Sequence, residues 1–204
     1  MKKLFILTIL SGIVMMFCQC SGCTTKDAKV SGLNIENIIS SDKETMYVNY
    51  GGNYRWYETC AILNDFLDEE NDGSFAEIVN IFQVVNGSEK EGFDTEVYKF
   101  QHFSDGTSAT GSTKGFWIED FPLVDSLIKV SYAEAYEKIM QVNLPKPHSK
   151  NVILRNPVGP KACNPQWVFG NIKSQIWVDA TTGEINTSNP AFPEGFKMPL
   201  GEWP

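Results

Sequence analysis

The chain has 204 residues, 42% of them hydrophobic and 21% charged, which is enough for one domain of ordinary size or two small ones. This composition excludes a disordered, collagen-like or coiled-coil protein. The net charge of −8 argues against a nucleic-acid-binding protein, because such a protein needs a basic surface that displaces counterions. We therefore expect no nucleic-acid partner.

The N-terminus has the pattern of an export signal. Two lysines precede the apolar run Leu4–Phe17, whose 14 residues are fewer than the roughly 20 that a membrane-spanning helix needs. The next segment, Ser21-Gly22-Cys23, resembles the end of a bacterial lipobox, in which small residues precede a cysteine that is lipidated and becomes the mature N-terminus. Cys20 stands where that motif usually has leucine. The alternative interpretation is a metal site formed by the three N-terminal cysteines.

Lipidation of Cys23 predicts an exported protein whose only contact with the membrane is its lipid anchor. Residues 1–22 are then the signal peptide, and the polar residues 23–43 form a lipidated tether. Removal of residues 1–22 takes away two lysines and no acid, so the net charge changes from −8 to −10. We expect a bacterial envelope lipoprotein, with the outer membrane favoured and its periplasmic and surface faces both open.

Two cysteines, Cys60 and Cys163, remain in the body of the exported chain. Two thiols in an oxidising compartment favour a disulfide. Closing a loop of about 100 residues would stabilise the fold by roughly 4.7 kcal/mol in the chain-entropy model. The alternative is two buried cysteines that are not bonded to each other.

Residues 44–120 are predicted to form a first unit of one helix and several antiparallel strands. Alternation predicts strands, helical spacing of Trp56, Cys60, Leu63 and Leu67 predicts a helix, and Asn86-Gly87 predicts a hairpin. In chain order the unit comprises a strand at Thr45–Tyr50, the helix ending near Asp68, strands at Glu77–Val85 and Thr95–Phe103, a loop at Ser104–Lys114 and a strand at Gly115–Glu119.

Residues 121–186 are predicted to repeat this order. Ser131 and Glu134 form a capping box that starts a helix. The later segments are strands at Val152–Arg155, Gln166–Phe169 and Ser174–Asp179, with a loop at Pro157–Pro165 and a Pro-rich aromatic tail at 187–204 that packs on the body. The predicted class is α+β, with two tandem helix-plus-antiparallel-sheet units that form separate sheets or one continuous curved sheet.

The second unit resembles a PepSY domain over residues 129–186. Lys129–Ala135 is similar to the opening of that family's helix, and Trp177–Ile185 to its closing strand and turn. Within that turn, Asp179 can accept backbone N–H bonds and Gly183 can take a positive φ. A tandem pair of such units also resembles the architecture of the β-lactamase inhibitory protein. The resemblance implies binding or inhibition of an extracytoplasmic peptidase and supplies no catalytic residue.

Two tryptophans are the best candidates for a binding surface. Strand alternation puts Trp117 beside Glu119 and Trp177 beside Asp179, on sheet faces opposite the helices. Phe116, Ile118, Ile176 and Val178 would then face the helices. Large amphipathic rings are favoured at interfaces. The alternative is that the other sheet or the tail covers both rings.

The signals for catalysis, cofactors and metals are weak. His102 and His148 have no second ligand at helical or strand spacing, and no Gly-x-Ser-x-Gly turn accompanies them. Residues 68–73 resemble half of an EF-hand loop, but Val79 stands where the bidentate glutamate belongs. We expect no cofactor and no metal.

The sequence thus favours an exported, lipid-anchored, non-enzymatic binding module whose partner is an envelope protein such as a peptidase. One alternative is a lipoprotein that binds a small ligand or glycan in a pocket between the units, lined by Trp117, Trp177 and Tyr98. A hydrolase is a further alternative.

Overall fold

The computed structural model describes residues 32–68, 72–88 and 92–195. The predicted signal peptide, the predicted lipidation site at Cys23 and the end of the predicted tail lie outside these residues. In the described residues two α-helices, one short 3-10 turn and nine strands follow each other along the chain. They are α1 (Ile35–Tyr50), β1 (Tyr54–Leu63), β2 (Phe75–Ser88), β3 (Gly92–Phe103), β4 (Ser108–Lys114), β5 (Asp120–Phe121), the 3-10 turn (Asp125–Leu127), α2 (Tyr132–Gln141), β6 (Asn151–Pro157), β7 (Gln166–Asn171), β8 (Ser174–Asp179) and β9 (Ile185–Asn186).

Eight of these strands form one antiparallel sheet in the order β4-β3-β2-β1-β6-β7-β8-β9, and β5 pairs with β6 beside it. The first strand after each helix, β1 or β6, lies at the centre, and the later strands run outwards to an edge. The two central strands pair from Glu58↔Arg155 to Ile62↔Asn151. The α+β class is therefore confirmed, with one large sheet.

The main core lies between the helices and one face of this sheet. Ile35, Ile39 and Met46 of α1 and Ala135 and Ile139 of α2 belong to a single buried cluster with the facing strand residues. In the strands this core contains Ala61, Ile78, Phe82, Val152, Leu154, Trp167, Phe169, Ile176 and Val178. We call the opposite side of the sheet the helix-free face.

The predictions for residues 45–67 were wrong in secondary structure. Thr45–Tyr50 is the end of α1, not a strand, and this helix begins at Ile35, inside the predicted tether. Its Asn34 cap accepts the N–H of Asn37, and its buried residues Ile35, Ile39, Asp42 and Met46 recur at helical spacing. The polar composition of this segment made its helical pattern of buried residues hard to recognise in the sequence.

The predicted helix at Trp56–Leu67 is instead strand β1 as far as Leu63, followed by a loop. The register between β1 and β2 shifts between Trp56 and Glu58, as at a β-bulge. The extra residue lets Trp56 point to the same face as Thr59, Ala61 and Leu63. A bulged strand therefore mimicked the spacing of a helix.

Other predicted elements are confirmed, with two further exceptions. The strands at β2, β3, β6, β7 and β8 are present, and α2 begins with the predicted capping box of Ser131 and Glu134. Part of the predicted loop 104–114 is the edge strand β4, whereas residues 116–119, predicted as a strand, have no regular secondary structure.

Candidate functional site

Residues 115–124, which we call the strap, run from the edge strand β4 back across the helix-free face. The N–H of Gly115 donates to the carbonyl of Thr95 on β3 at 2.9 Å, and the N–H of Trp117 donates to Gln83 Oε1 on β2 at 2.6 Å. Further along, β5 pairs with β6, and the N–H of Leu123 donates to the carbonyl of Trp56 on β1 at 2.7 Å. The strap is therefore attached to four strands in succession.

The strap alternates between side chains that face the sheet and side chains that face solvent. Trp117 is half-buried with Lys99 Nζ 5.9 Å from its ring centroid, and Asp120 is buried. Phe116, Ile118 and Phe121 are exposed by 65%, 81% and 51%. We call these three residues the outer triplet. Large apolar side chains that are grouped and exposed mark interaction sites in soluble proteins.

Beneath the strap, two carboxyl groups are buried together. Glu58 of β1 and Asp120 of β5 are each only 4% exposed, and Glu58 is close enough to Asp120 to raise the pKa of that carboxyl group. Arg155 of β6 lies opposite Glu58 and donates from Nε to Asp120 Oδ1 at 2.7 Å, while its Nη2 donates to the carbonyl of Glu119 at 3.3 Å. The thiol of Cys60 donates to Glu58 Oε1 at 2.6 Å.

This arrangement changes the acidity of two groups. Burial and the neighbouring Glu58 raise the pKa of Asp120 to about 7, although Arg155 opposes the shift. Burial and the same glutamate also raise the pKa of the Cys60 thiol. A thiol held in its protonated form is a weak nucleophile, so the cluster is better suited to holding the strap than to covalent catalysis.

A polar row continues from this cluster across the helix-free face. Glu58, Arg155, Gln166 and Asp179 lie directly opposite one another on β1, β6, β7 and β8. Asp179 accepts the N–H groups of Thr181 and Thr182, both at 2.8 Å, and Gly183 has φ +76°, as the sequence predicted. Asp179 therefore closes a turn at the end of this row.

Next to Asp179 lies an open cleft of about 460 Å³. It is lined mainly by polar side chains, including Cys163, Asn164, Gln166, Glu184 and Asn186. The Nε2 of Gln166 donates to the carbonyl of Asn164, but its buried Oε1 accepts no hydrogen bond from the described residues.

The structure separates the residues predicted to bind a partner. Trp177 does lie on the helix-free face, opposite Val168, but it is only 3% exposed. Trp117 faces the same side from the strap, with Glu119 exposed beside it. Tyr98 lies on the other face, opposite Phe82 of the core, and its hydroxyl contacts that of Tyr50. The predicted pocket of Trp117, Trp177 and Tyr98 is therefore wrong.

The expectation that Phe116 and Ile118 face the helices was also wrong. It required a strand at 115–119 paired in the sheet, and this segment instead crosses the face of the sheet. Both side chains consequently point to solvent, while Ile176 and Val178 face the helices as predicted.

Cys60 and Cys163 are both free, so the predicted disulfide is absent. Cys60 lies on the central strand β1, whereas Cys163 lies in the loop after β6, next to Asp179 of β8. Strands β6 and β7 separate β1 from β8, and each strand spacing is about 4.8 Å. The sheet therefore holds the two thiols beyond the reach of a disulfide.

Both histidines pair with aspartates. His102 Nε2 of β3 lies 3.0 Å from Asp42 Oδ2 of α1, and that carboxylate also accepts from Asn80 Nδ2 at 2.7 Å. His148 Nδ1 lies 2.7 Å from Asp68 Oδ2, in the loops at one end of the sheet. Among the described residues no serine hydroxyl bonds to either ring, and no group of three or more His, Cys, Asp or Glu could hold a metal ion.

Sequence reasoning missed the residues of the cluster at the strap, Glu58, Asp120 and Arg155, and also Gln166 of the cleft beside Asp179. The available signal was an ionisable or amide side chain inside an otherwise apolar strand, since a charge in such a place is paired when it is buried. Glu58 follows Trp56 and Tyr57, and Arg155 follows Val152–Leu154.

Comparisons with known proteins give no match to any family model, curated protein or solved structure. Among the described residues no helix is long and apolar enough to cross a bilayer.

Proposed function

We propose that the protein is a non-enzymatic binding module of the bacterial cell envelope, and that it docks a partner protein on the outer triplet. The observation that carries this proposal is the exposure of Phe116, Ile118 and Phe121 on a strap whose intervening residues Trp117 and Asp120 are anchored to the sheet. A surface held in place before binding loses little conformational entropy when a partner docks.

The partner we propose is an extracytoplasmic protein such as a peptidase. The resemblance of residues 129–186 to a PepSY domain supports this class of partner. The sheet order supports the finer proposal of two tandem units, because each helix is followed by strands that start at the centre and proceed to an edge. The same order supports a likeness to the β-lactamase inhibitory protein, an architecture used for inhibition.

We also propose that Cys23 anchors the module by lipid to a bacterial membrane, with the outer membrane favoured. The support is the short apolar run and Ser21-Gly22-Cys23 in the sequence. Mass spectrometry of the mature protein tests this directly, since we expect acyl chains on an N-terminal Cys23. A mature N-terminus elsewhere, or no acyl mass, would overturn it.

The docking proposal is tested by placing a photo-crosslinking amino acid at position 118 in cells that make the protein. We expect a specific crosslinked partner, which mass spectrometry then identifies. The matched control is the same amino acid at Ile172, which is 86% exposed in the turn between β7 and β8, far from the strap in the sheet order. Equal crosslinking at both positions would indicate non-specific contact.

The identified partner is then purified, and its affinity is measured by calorimetry. The substitutions F116S, I118S and F121S together should weaken binding by at least about 30-fold, because hot-spot side chains each contribute roughly 2 kcal/mol or more. The control I172S should bind normally, and circular dichroism confirms that both variants are folded. Unchanged affinity of the triple variant would contradict the proposed surface.

A second candidate function, the binding of a small polar ligand or glycan, has one observation in its favour. The cleft beside Asp179 is lined by Gln166, whose buried Oε1 has no donor among the described residues. A ligand hydroxyl could supply that donor. Screening saccharides by thermal shift, with Q166E as the comparison variant, separates this function from protein docking.

A further inference from the structure

The contact between the strap and the sheet contains two acidic groups and one full positive charge. Glu58 is on the central strand β1 and Asp120 is on the strap, and both side chains are removed from solvent. Their outer oxygens, Glu58 Oε2 and Asp120 Oδ2, are buried and accept no hydrogen bond from an N–H or O–H group of the described residues. Two neighbouring acceptors without a donor are unfavourable unless one carries a proton.

The groups around this pair do not neutralise a second negative charge. Arg155 of β6 supplies one positive charge and a direct hydrogen bond to Asp120, and Cys60 of β1 supplies a thiol donor to Glu58. The neighbouring strands present uncharged side chains, Ile81 of β2 opposite Glu58 and Gln166 of β7 opposite Arg155. Lys99 of β3 lies over the ring of Trp117, and Glu119 of the strap faces solvent.

We propose that the strap is a proton-dependent latch, in which Glu58 and Asp120 share one proton that holds the strap on the sheet and whose loss to solvent loosens it. With the proton present, one carboxylic acid donates to the other carboxylate, and the remaining negative charge is paired with Arg155. Without it, two buried carboxylates repel each other across the contact, and only one of them is balanced.

The acidity of Asp120 places this change near neutral pH. Burial and the proximity of Glu58 raise the pKa of Asp120 to about 7. An acid with a raised pKa in the folded state makes folding less favourable as the pH rises from its unfolded value towards the folded one. The strap should therefore be held more firmly at pH 5.5 than at pH 8.5, and the loss should level off above about pH 7.

The consequence for partner binding rests on the proposed function. Asp120 lies between Ile118 and Phe121, so release of Asp120 from the sheet displaces the outer triplet. A partner that recognises the ordered triplet would then bind more tightly in a mildly acidic envelope than in an alkaline one.

Hydrogen exchange of the full chain, read by mass spectrometry on peptides covering residues 115–124, tests the latch without any partner. After correction for intrinsic exchange rates, we expect protection of the strap to fall at least tenfold between pH 5.5 and pH 8.5. D120N and E58Q should each abolish this dependence, because a neutral amide supplies a permanent donor. The exposed neighbour Glu119 provides the control, and E119Q should keep the dependence.

Protection of the natural strap that does not change with pH would overturn the latch. An unchanged pH dependence of strap protection in both D120N and E58Q would also overturn it. If one of these variants fails to fold, the other variant and the natural chain provide the test. Affinity for the crosslinked partner is measured separately at both pH values. If protection of the strap changes with pH but the affinity does not, the latch does not control docking. If the triple variant F116S/I118S/F121S keeps its affinity, the proposed docking surface is wrong, and the latch is unaffected.

Discussion

The amide oxygen of Gln83, on strand β2, accepts the backbone N–H of Trp117 at 2.6 Å. Gln83 is buried on the helix-free face, so this bond fixes the strap before the chain reaches the carboxyl pair. A side-chain amide here replaces the backbone partner that an irregular segment lacks.

Substitution of Gln83 by methionine should release the first half of the strap. The shape of the side chain is retained, but the N–H of Trp117 loses its acceptor, which costs about 1–3 kcal/mol if that group stays buried. Denaturant unfolding should show this loss, and hydrogen exchange should show reduced protection at residues 115–119. The control is Q175M, at a half-buried glutamine of β8. Equal effects of both substitutions would contradict the anchoring role of Gln83.

The two tryptophans on the helix-free face should differ in their contributions to stability. Trp177 is buried, so W177A should lower the free energy of unfolding by about 3–5 kcal/mol. Trp117 is half-buried on the strap, so W117A should cost clearly less. Urea unfolding followed by circular dichroism measures both, with W177F as the conservative comparison. If W177A were as mild as W117A, the ring of Trp177 would not be a core residue.

Both cysteines of the body should be free thiols. Alkylation of the unfolded chain without a reductant should modify both Cys60 and Cys163, as read by peptide mass spectrometry. In the folded protein Cys60 should react more slowly than an exposed thiol, because burial and Glu58 raise its pKa. Recovery of a peptide pair linked through the two cysteines would show that the disulfide forms after all.

Asp179 should stabilise the fold above pH 4 and lose this effect in acid. Although partial burial opposes the shift, hydrogen bonds from Asn164, Thr182 and Thr181 hold the pKa of Asp179 below its ordinary value. A carboxyl group with a lowered folded-state pKa contributes stability above its unfolded value of about 3.9, and this contribution disappears as the pH falls through the folded value.

The substitution D179N should therefore destabilise the protein at pH 7, and the difference from the natural chain should shrink at pH 3. Thermal unfolding at the two pH values checks this. E184Q changes a nearby exposed acid and serves as the control. A deficit of D179N that is the same at both pH values would assign the effect to geometry alone and not to charge.

Local patterns in the sequence predicted the second half of the fold well. The capping box of Ser131 and Glu134 and the alternating strands β6, β7 and β8 each carry their signal within a few residues. The turn at Asp179 and Gly183 is similarly local. The prediction for the first half was wrong where helical and strand periodicities competed, because the bulge after Trp56 gave a strand the residue spacing of a helix.

The site was harder to predict because it depends on long-range pairing. Nothing near Glu58 in sequence indicates that Arg155 lies opposite it, and nothing near Asp120 indicates that the strap crosses β1 and β2 before reaching β6. The prediction of a disulfide was wrong for a related reason. Counting cysteines says how many thiols are present, but only the strand order says that β6 and β7 separate them.

The pairing of β1 with β6 at the centre of the sheet has a consequence for the order of folding. Every other long ladder joins strands that are close in sequence, such as β2 with β3 or β7 with β8, and such hairpins close within microseconds. The central ladder joins residues 89 to 97 positions apart, from Ile62↔Asn151 to Glu58↔Arg155, and must close a far larger loop. We expect the two halves to gain structure separately. The pairing of β1 with β6 should then limit the overall folding rate. Until that step, the inward edges of β1 and β6 are unpaired, and the chain is most vulnerable to proteolysis and to pairing with other chains.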